Sequence, residues 1–351
     1  MRSADSSSPQ VRVLAEHISD HLSVFVVAEN TDAERPANGG LRLLSYDSDA
    51  TCKADGHRLA SLMTNKHALY GTGFAGGKVV ARAANPAAVK DELINVTAEL
   101  LESLGGAMIT GCDLNTSLED MERLTALTPH VLAAVGSPVD ASAATAHGTL
   151  GAVEAVLDKD LNDARPGRAL VHGCGAVGGT VARHLVAHGW TVFTVDLDRE
   201  KASFPGATPL PESCAWWELN LDLLLPCSIS GLINAEMATA LKTPAVVPAA
   251  NAPFQQPQLA DDLRRRGVRV LPDPLVNAGA VIADSIERFS PDAWKDAGAK
   301  DVYAFVRDEV RRRASEYLNQ REQGLSVGAA LEEVAATPST EPIGLSFGES
   351  E

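Results

Sequence analysis

Three side chains in the first third of the chain stand where they could do acid–base chemistry. Lys66 closes the run Met63-Thr64-Asn65-Lys66, and Lys78 ends the glycine-rich run Gly71-Thr72-Gly73-Phe74-Ala75-Gly76-Gly77-Lys78. Asp113 lies within Thr110-Gly111-Cys112-Asp113-Leu114-Asn115-Thr116. Two lysines separated by a glycine-rich loop can both point at one anionic substrate. Desolvation and a second ammonium nearby would each lower the pKa of Lys78, as a general base working near neutral pH requires. The same residues admit plainer readings: a lysine after Gly-Gly can be a solvated surface residue, and Asp113 can cap a turn. His67, beside Lys66, reads as a satisfied structural histidine and is given no role.

A second constellation has a sharper signature. Ala169–Val171 reads as a strand that runs into Gly173-Cys174-Gly175-Ala176-Val177-Gly178, and a helix follows with Val177, Val181 and Leu185 on one face. Gly173 permits the tight turn, Gly175 lets the backbone approach a pyrophosphate, and Gly178 lets the helix pack close to the strand. The phosphates would sit at the helix N-terminus, against its unpaired N–H groups and positive dipole end. Asp196 ends the next strand, 23 residues beyond Gly173, close to the ~20 expected of a carboxylate that binds the adenosine ribose. Such a carboxylate repels a 2′-phosphate, which favours NAD over NADP.

The elements that must position these residues change character along the chain. Leu22–Ala28 and Leu41–Leu44 read as strands, His57–Lys66 and Pro86–Leu104 as helices, the second closed by Gly105-Gly106. A further helix is expected from Ala143 to about Leu157. Beyond Pro166-Gly167, short apolar strands (Ala169–Val171, Thr191–Val195, Leu221–Leu225, Ala245–Val247, Val268–Leu271) alternate with segments of helical length such as Asn234–Lys242 and Gln256–Gly267. That alternation specifies a mostly parallel sheet covered on both faces. The expectation is an α/β chain of two domains: residues 1–134 for substrate binding and catalysis, 135–325 a doubly wound Rossmann domain, and 326–351 a C-terminal helix and flexible tail.

Composition narrows the function classes. The 351 residues suffice for two domains at roughly 100–200 residues each. A formal net charge of −16 with no basic stripe argues against nucleic acid. Arg264-Arg265-Arg266 reads as the positively charged end of a helix. No apolar run approaches the roughly 20 residues of a membrane span, and the amino terminus lacks a signal-peptide core, so a soluble cytoplasmic protein without a membrane partner is the expectation. Five scattered cysteines, never in C-x-x-C spacing, suggest reduced, buried thiols and no metal site.

Taken together, these motifs resemble the amino-acid dehydrogenase family that includes the leucine, valine, phenylalanine and glutamate enzymes. The resemblance runs from about Gly39 to about Arg288 and keeps the family's motif order: Gly39-Gly40-Leu41-Arg42, Met63–Lys66, Gly76–Lys78, Asp113–Thr116, Thr145-Ala146-His147-Gly148, the dinucleotide turn, Pro226-Cys227-Ser228, Ala249-Ala250-Asn251 and Val276-Asn277-Ala278-Gly279-Ala280-Val281. It implies that Lys66 holds the substrate carboxylate with backbone near Gly40, and that Lys78 activates water for attack on the imino carbon. Asp113 would move protons to and from the amino group, Asn277 would contact substrate, and Thr145 and Asn251 would lie near the nicotinamide. The implied reaction is NAD-dependent interconversion of an L-amino acid with its 2-oxo acid and ammonia, in a cleft between the domains, by a homo-oligomer associating through its first domain.

Several positions depart from the family pattern. Asn38 precedes Gly39 where the branched-chain enzymes carry an apolar side-chain contact, and Asp284-Ser285 lies in a region that helps wall the substrate side chain. The glycine-rich run before Lys78 also differs from the more apolar one of close relatives. Thr110-Gly-x-Asp113-x-Asn-Thr looks more like the phenylalanine branch, and Gly111 would leave room for a ring, which leans the expectation towards an aromatic or large apolar substrate. Two alternatives stand beside it. One is a specialised biosynthetic member acting on an unusual amino or imino acid. The other is a catalytically silent NAD-binding protein, whose signature would be loss of Lys66, Lys78 or Asp113.

Overall fold

A computed structural model describes residues 11–29, 31–159, 166–336 and 341–348. It divides into two compact units. The first takes in the chain up to Ser137, Asp284–Trp294 and the described carboxy-terminal residues, and the second comprises Pro138–Ala283 and the chain from Lys295 through residue 336.

The first unit contains strands β1 (Arg12–Ile18), β2 (Ser23–Ala28), β3 (Ala37–Asn38), β4 (Leu41–Leu44), β5 (Ala75–Arg82) and β6 (Met108–Ile109), with helices α1 (Asp49–Tyr70), α2 (Lys90–Ser103) and α3 (Leu118–Thr125). Its sheet runs β1-β2-β5-β3-β6, with β4 also paired to β5. The β1–β2 and β2–β5 pairs are antiparallel, while β3 and β4 pair with β5 in parallel. Side-chain alternation sorts the sheet into two faces. Val24, Val26, Leu41, Leu43, Val79 and Ala81 bury themselves with Leu93, Ile94 and Leu101 of α2, and Phe25, Val27 and Val80 with Cys52, Leu59 and Ala60 of α1. Lys78 and Arg42, which flank Val79 and Leu41, therefore belong to the α1 face.

Helix α1 is longer than the sequence pattern suggested. Ser48 caps its first turn by accepting from the Thr51 N–H, and Gly71 ends it at φ 58°, a left-handed conformation that suits glycine. The glycine-rich segment before Lys78, expected as a loop, enters β5, a strand paired on both sides. Its glycines are set by packing: a Cβ on Gly76 would lie 2.2 Å from Thr64 Oγ1 on α1, and one on Gly77 would lie 2.6 Å from Met108 Sδ. The carboxy-terminal stretch also differs from the loose tail expected. Ile343–Ser346 forms a 3-10 turn, Ile343 N–H donates to Gly71 O at 2.8 Å, and Gly344 N–H donates to Ser285 Oγ at 3.0 Å. Ile343 and Gly344 are buried there, so their composition serves close packing.

The second unit opens with α4 (Ala141–Asp158) and continues β7 (Arg168–His172), α5 (Ala176–Ala187), β8 (Thr191–Val195), α6 (Arg199–Ala202), β9 (Ala207–Pro209), β10 (Leu223–Pro226), α7 (Ala235–Ala240), β11 (Ala245–Val246), α8 (Pro257–Arg265), β12 (Arg269–Val270) and α9 (Asp273–Val276). Helices α10 (Gly279–Phe289) and α11 (Pro291–Asp296) carry the chain into the first unit and back, before α12 (Ala299–Glu322) and α13 (Val327–Ala336). Its six strands are all parallel, in the order β12-β11-β10-β7-β8-β9. Counted from β7, this is the doubly wound order 3-2-1-4-5-6, whose switch point falls between β7 and β10. No helix of the described residues is long and apolar enough to cross a membrane.

Candidate active site

Lys78 projects from the middle of β5 into a buried setting and is 6% exposed. Its ammonium sits 2.5 Å from Asp113 Oδ2. The Asp113 carboxylate is held from a second side by Arg42, whose Nε donates to Oδ2 at 2.9 Å and Nη2 to Oδ1 at 3.4 Å. Arg42 also donates from Nη1 to Asp55 Oδ2 at 3.2 Å, and the Tyr46 hydroxyl donates to the same oxygen at 2.7 Å. The result is a chain of alternating charge, Lys78–Asp113–Arg42–Asp55, on the sheet face that α1 covers.

Electrostatics assigns each member a direction. Burial pulls the Lys78 pKa down, the Asp113 carboxylate opposes it, and the Arg42 guanidinium adds to the lowering. Burial by itself would raise Asp113, but the ammonium of Lys78 and the guanidinium of Arg42 outweigh it and hold the carboxyl at about 2. The sequence pointed to Lys66 as a cation that depresses Lys78, and Arg42 is a further cation that bears on it. Lys66 itself lies part-buried near the C-terminal end of α1, on the helix that covers the Lys78 face.

The loop that carries Asp113 is tied down by its own threonine. Thr116 Oγ1 accepts the Asp113 N–H at 2.9 Å and donates to Leu41 O at 2.8 Å, while Asn115, at φ 59°, donates to Leu43 O. Gly40 is glycine because a Cβ there would lie 2.5 Å from Cys112 O and 2.9 Å from Asp113 Cβ. Gly111 has a comparable explanation, and it corrects the sequence expectation. A Cβ on Gly111 would meet Leu132 O at 2.4 Å, so the missing side chain makes way for backbone and opens no room for a ring. His67 is the satisfied structural residue it was expected to be. It is buried, its ring nitrogens bond Thr72 Oγ1 and Asn38 O, and burial lowers its pKa to about 3.

In the second unit, the Gly173–Gly178 turn follows β7 directly. Gly173 has φ 94°, and a Cβ there would collide with Ser228 after β10. A Cβ on Gly178 would lie 1.9 Å from Gly173 O. Gly175 is the exception: at φ −67° a Cβ would meet no protein atom, so the fold does not require glycine there. Gly175 caps α5 with no side-chain hydrogen bond, and the first amides of the helix, from Ala176 and Val177 on, receive no side-chain cap. Asp196 accepts from the Cys174 N–H at 2.6 Å and from the Asp198 N–H at 2.9 Å. Asn277 and Asn251 are brought together, Asn277 Nδ2 donating to Asn251 Oδ1 at 2.9 Å and to Ala249 O at 3.0 Å. Asn277 Oδ1 is buried and has no hydrogen-bond partner among the described residues. Thr145 lies on the second turn of α4 and donates to Ala141 O.

Three parts of the site were not singled out as functional from sequence: Arg42, Asp55 and Tyr46. Arg42 stood within the Gly-Gly-x-Arg motif, and its polarity in an otherwise apolar strand, Leu41-Arg42-Leu43-Leu44, was the available signal. The cysteines also depart from expectation. Cys52 and Cys174 are buried, Cys214 and Cys227 half-buried, and Cys112 is exposed on the Asp113 loop.

Known proteins are similar to this chain in sequence and fold. Residues 12–130 match the family described as the Glu/Leu/Phe/Val dehydrogenase dimerisation domain, and residues 196–337 match the Glutamate/Leucine/Phenylalanine/Valine dehydrogenase family. The chain is 31% identical over 327 residues to valine dehydrogenase of Streptomyces albus, covering 88% of this chain and 86% of that one. The chain belongs to the Glu/Leu/Phe/Val dehydrogenase family. Within it, phenylalanine dehydrogenase of Caldalkalibacillus thermarum is 30% identical over 306 residues, 80% of this chain and 82% of the relative. The crystal structure of L-tryptophan dehydrogenase from Nostoc punctiforme shares the fold, with a TM-score of 0.73 at 24% identity over 93% and 94% of the two chains. The chain is thereby placed among two-domain oxidoreductases with a Rossmann-type domain.

Proposed function

We propose that the protein is an NAD-dependent L-amino-acid dehydrogenase, converting an L-amino acid and water to the 2-oxo acid and ammonium, and running in reverse as a reductive aminase. The observation that carries this reading is the buried Lys78–Asp113 pair at 2.5 Å, steadied by Arg42. A lysine whose pKa burial lowers gives up its proton more readily than a solvated one, as a general base must. In this reading neutral Lys78 takes a proton from the water that attacks the substrate's imino carbon. Asp113 exchanges protons with the substrate amino group, and Arg42 keeps Asp113 ionised and aimed. Lys66 binds the substrate carboxylate as an ammonium, helped by backbone at Gly40.

The second unit has the groups a dinucleotide needs. The open Cβ position at Gly175 and the uncapped start of α5 suit a pyrophosphate on the amides of Gly175 to Gly178. Asp196, at the end of β8, suits ribose hydroxyls and disfavours a 2′-phosphate. The unpartnered Asn277 Oδ1, with Asn251 and Thr145, offers polar contacts for the nicotinamide end and the substrate. Bound NAD supplies the acceptor for the hydride leaving the substrate Cα. Self-association through the first unit also belongs to this proposal, supported by its match to the dimerisation-domain family.

The test is to incubate purified protein with NAD and a panel of L-amino acids at alkaline pH and follow NADH absorbance, with Lys78→Ala alongside. NADH formation that requires an amino acid and disappears in the variant supports the reading. No NADH from any amino acid, despite measurable NAD binding, would overturn it in favour of a silent dinucleotide-binding protein. The polar residues Asn38 and Asp284 favour the specialised-substrate form of the proposal.

A further inference from the structure

Two carboxylates of α10 lie in the first unit with no cation paired to them among the described residues. Asp284 and Glu287 are three residues apart on the helix and so share a face. Asn38, 1% exposed, hydrogen-bonds Asp284 through its side chain, and its amide oxygen is buried with no partner. Glu287 Oε2 accepts one bond, at 3.1 Å, from the N–H of Ala134, a residue at φ 54°. Among the described residues no lysine, arginine or histidine forms an ion pair with either carboxylate, and the charge that bears on Asp284 is the like charge of Glu287. Burial and this repulsion push Asp284 well above the ordinary carboxylate range, and burial pushes Glu287 up to about 7. An unmatched carboxylate in such a place is costly to the fold, and a pair of them more so. Three acceptors with little left to accept from define a place for a ligand that brings donors and positive charge.

The position of this cluster relative to Lys78 gives it a role. Asn38 pairs with Gly76 across the β3–β5 ladder, two residues before Lys78 and on the same sheet face. Two residues at roughly 3.3 Å each along the strand and one strand spacing of about 4.8 Å put the Cα atoms of Asn38 and Lys78 about 8 Å apart. An extended aliphatic side chain of ornithine or lysine size covers that span. Ile109, paired with Asn38 on its other side, and Leu132 belong to an apolar cluster that would flank the stem.

We propose that Asn38, Asp284 and Glu287 form the subsite for the substrate side chain, and that the preferred substrate is an amino acid whose side chain ends in a cation. An alkyl ammonium offers three donors and no acceptor, which matches carboxylate and amide oxygens, and it supplies the positive charge that lets the two carboxyls ionise. Acidic side chains are repelled, and apolar ones leave the carboxylates buried against hydrocarbon. This inference rests on the dehydrogenase reading above and specifies its substrate.

The experiment compares initial rates of NAD reduction with ornithine, lysine and arginine against norleucine, leucine and phenylalanine. Norleucine is the key control, since it keeps the lysine stem and lacks the terminal amine. The wild-type protein is expected to favour at least one cationic amino acid over norleucine by tenfold or more in kcat/KM. In Asp284→Asn that ratio is expected to fall at least tenfold, chiefly through KM, with the melting temperature and NADH affinity measured as controls on folding. Turnover of norleucine or phenylalanine with cationic substrates no better would overturn the subsite while leaving the dehydrogenase intact. Turnover of no amino acid at all would instead remove the reading on which it rests. If Asp284→Asn does not fold, the wild-type ratio alone decides.

Discussion

Arg42 grips Asp113 with two nitrogens, Nε at 2.9 Å from Oδ2 and Nη2 at 3.4 Å from Oδ1. Because the Lys78 ammonium shares Oδ2 at 2.5 Å, the two cations are coupled through one carboxylate. Arg42 thereby acts on both chemical residues, holding Asp113 ionised and adding to the lowering of Lys78. Replacing it with glutamine removes that lowering influence. In Arg42→Gln the ascending limb of the kcat/KM–pH profile, which reports loss of the Lys78 proton, is expected to move to higher pH, with activity down about 10- to 100-fold. An unmoved limb would mean that Arg42 only braces the loop.

Lys78 is expected to be indispensable for chemistry and dispensable for dinucleotide binding. General-base groups contribute typically about 10²–10⁴-fold, so Lys78→Ala should lose at least that factor in kcat while NADH fluorescence titration stays near wild type. Weakened NADH binding of the same size would point to a collapsed fold instead.

Asp113 makes a prediction about acid stability. Its folded pKa of about 2 lies below the ordinary 3.8. A depressed carboxyl contributes stability that is fully present above the unfolded value and lost as pH falls towards the folded one. The contribution is about 2 kcal/mol at one pKa unit per 1.36 kcal/mol. Urea unfolding of wild type and Asp113→Asn should therefore show a gap at pH 5 that narrows between pH 4 and pH 2. A gap unchanged across that window would contradict the assignment.

How much of this was legible beforehand depends on the range of the interactions involved. The dinucleotide turn could be read because its constraints are local: Gly173 needs a positive φ, and Gly178 abuts the carbonyl of Gly173 a few residues away. Strand β5 was read as a glycine-rich loop because Gly76 and Gly77 answer to Thr64 and Met108, distant in sequence, and no short-range pattern announces a helix crossing at that point. Gly111 was misread for the same reason, its space being taken by Leu132 O. Asn38, Asp284 and Glu287 stood out in sequence only as departures in the first two cases. Their meeting in one cluster is a tertiary fact.

Gly175 offers a test that separates fold from ligand. Its φ of −67° is ordinary for any residue, and an added Cβ meets no protein atom. Gly175→Val is therefore expected to keep its melting temperature and to weaken NADH binding at least tenfold, since the side chain would stand where the pyrophosphate must approach. Gly178→Ala, whose Cβ would sit 1.9 Å from Gly173 O, should lower the melting temperature as well. Full NADH affinity in Gly175→Val would place the pyrophosphate elsewhere.

The carboxylate pair makes the opposite pH prediction to Asp113. Burial raises the folded pKa of Glu287 from 4.5 to about 7, so the folded state holds a proton that the unfolded state has released between those values. Stability therefore declines as pH rises from about 4.5 to about 7, and the loss persists above it. Glu287→Gln, which cannot ionise, should match wild type in urea midpoint near pH 4 and exceed it at pH 8.5. Saturating lysine or ornithine should close the gap at pH 8.5 by supplying the missing charge to the wild-type pair, whereas norleucine should leave it open. A gap that norleucine closes equally well would argue that side-chain occupancy, and not charge, is what these carboxylates answer to.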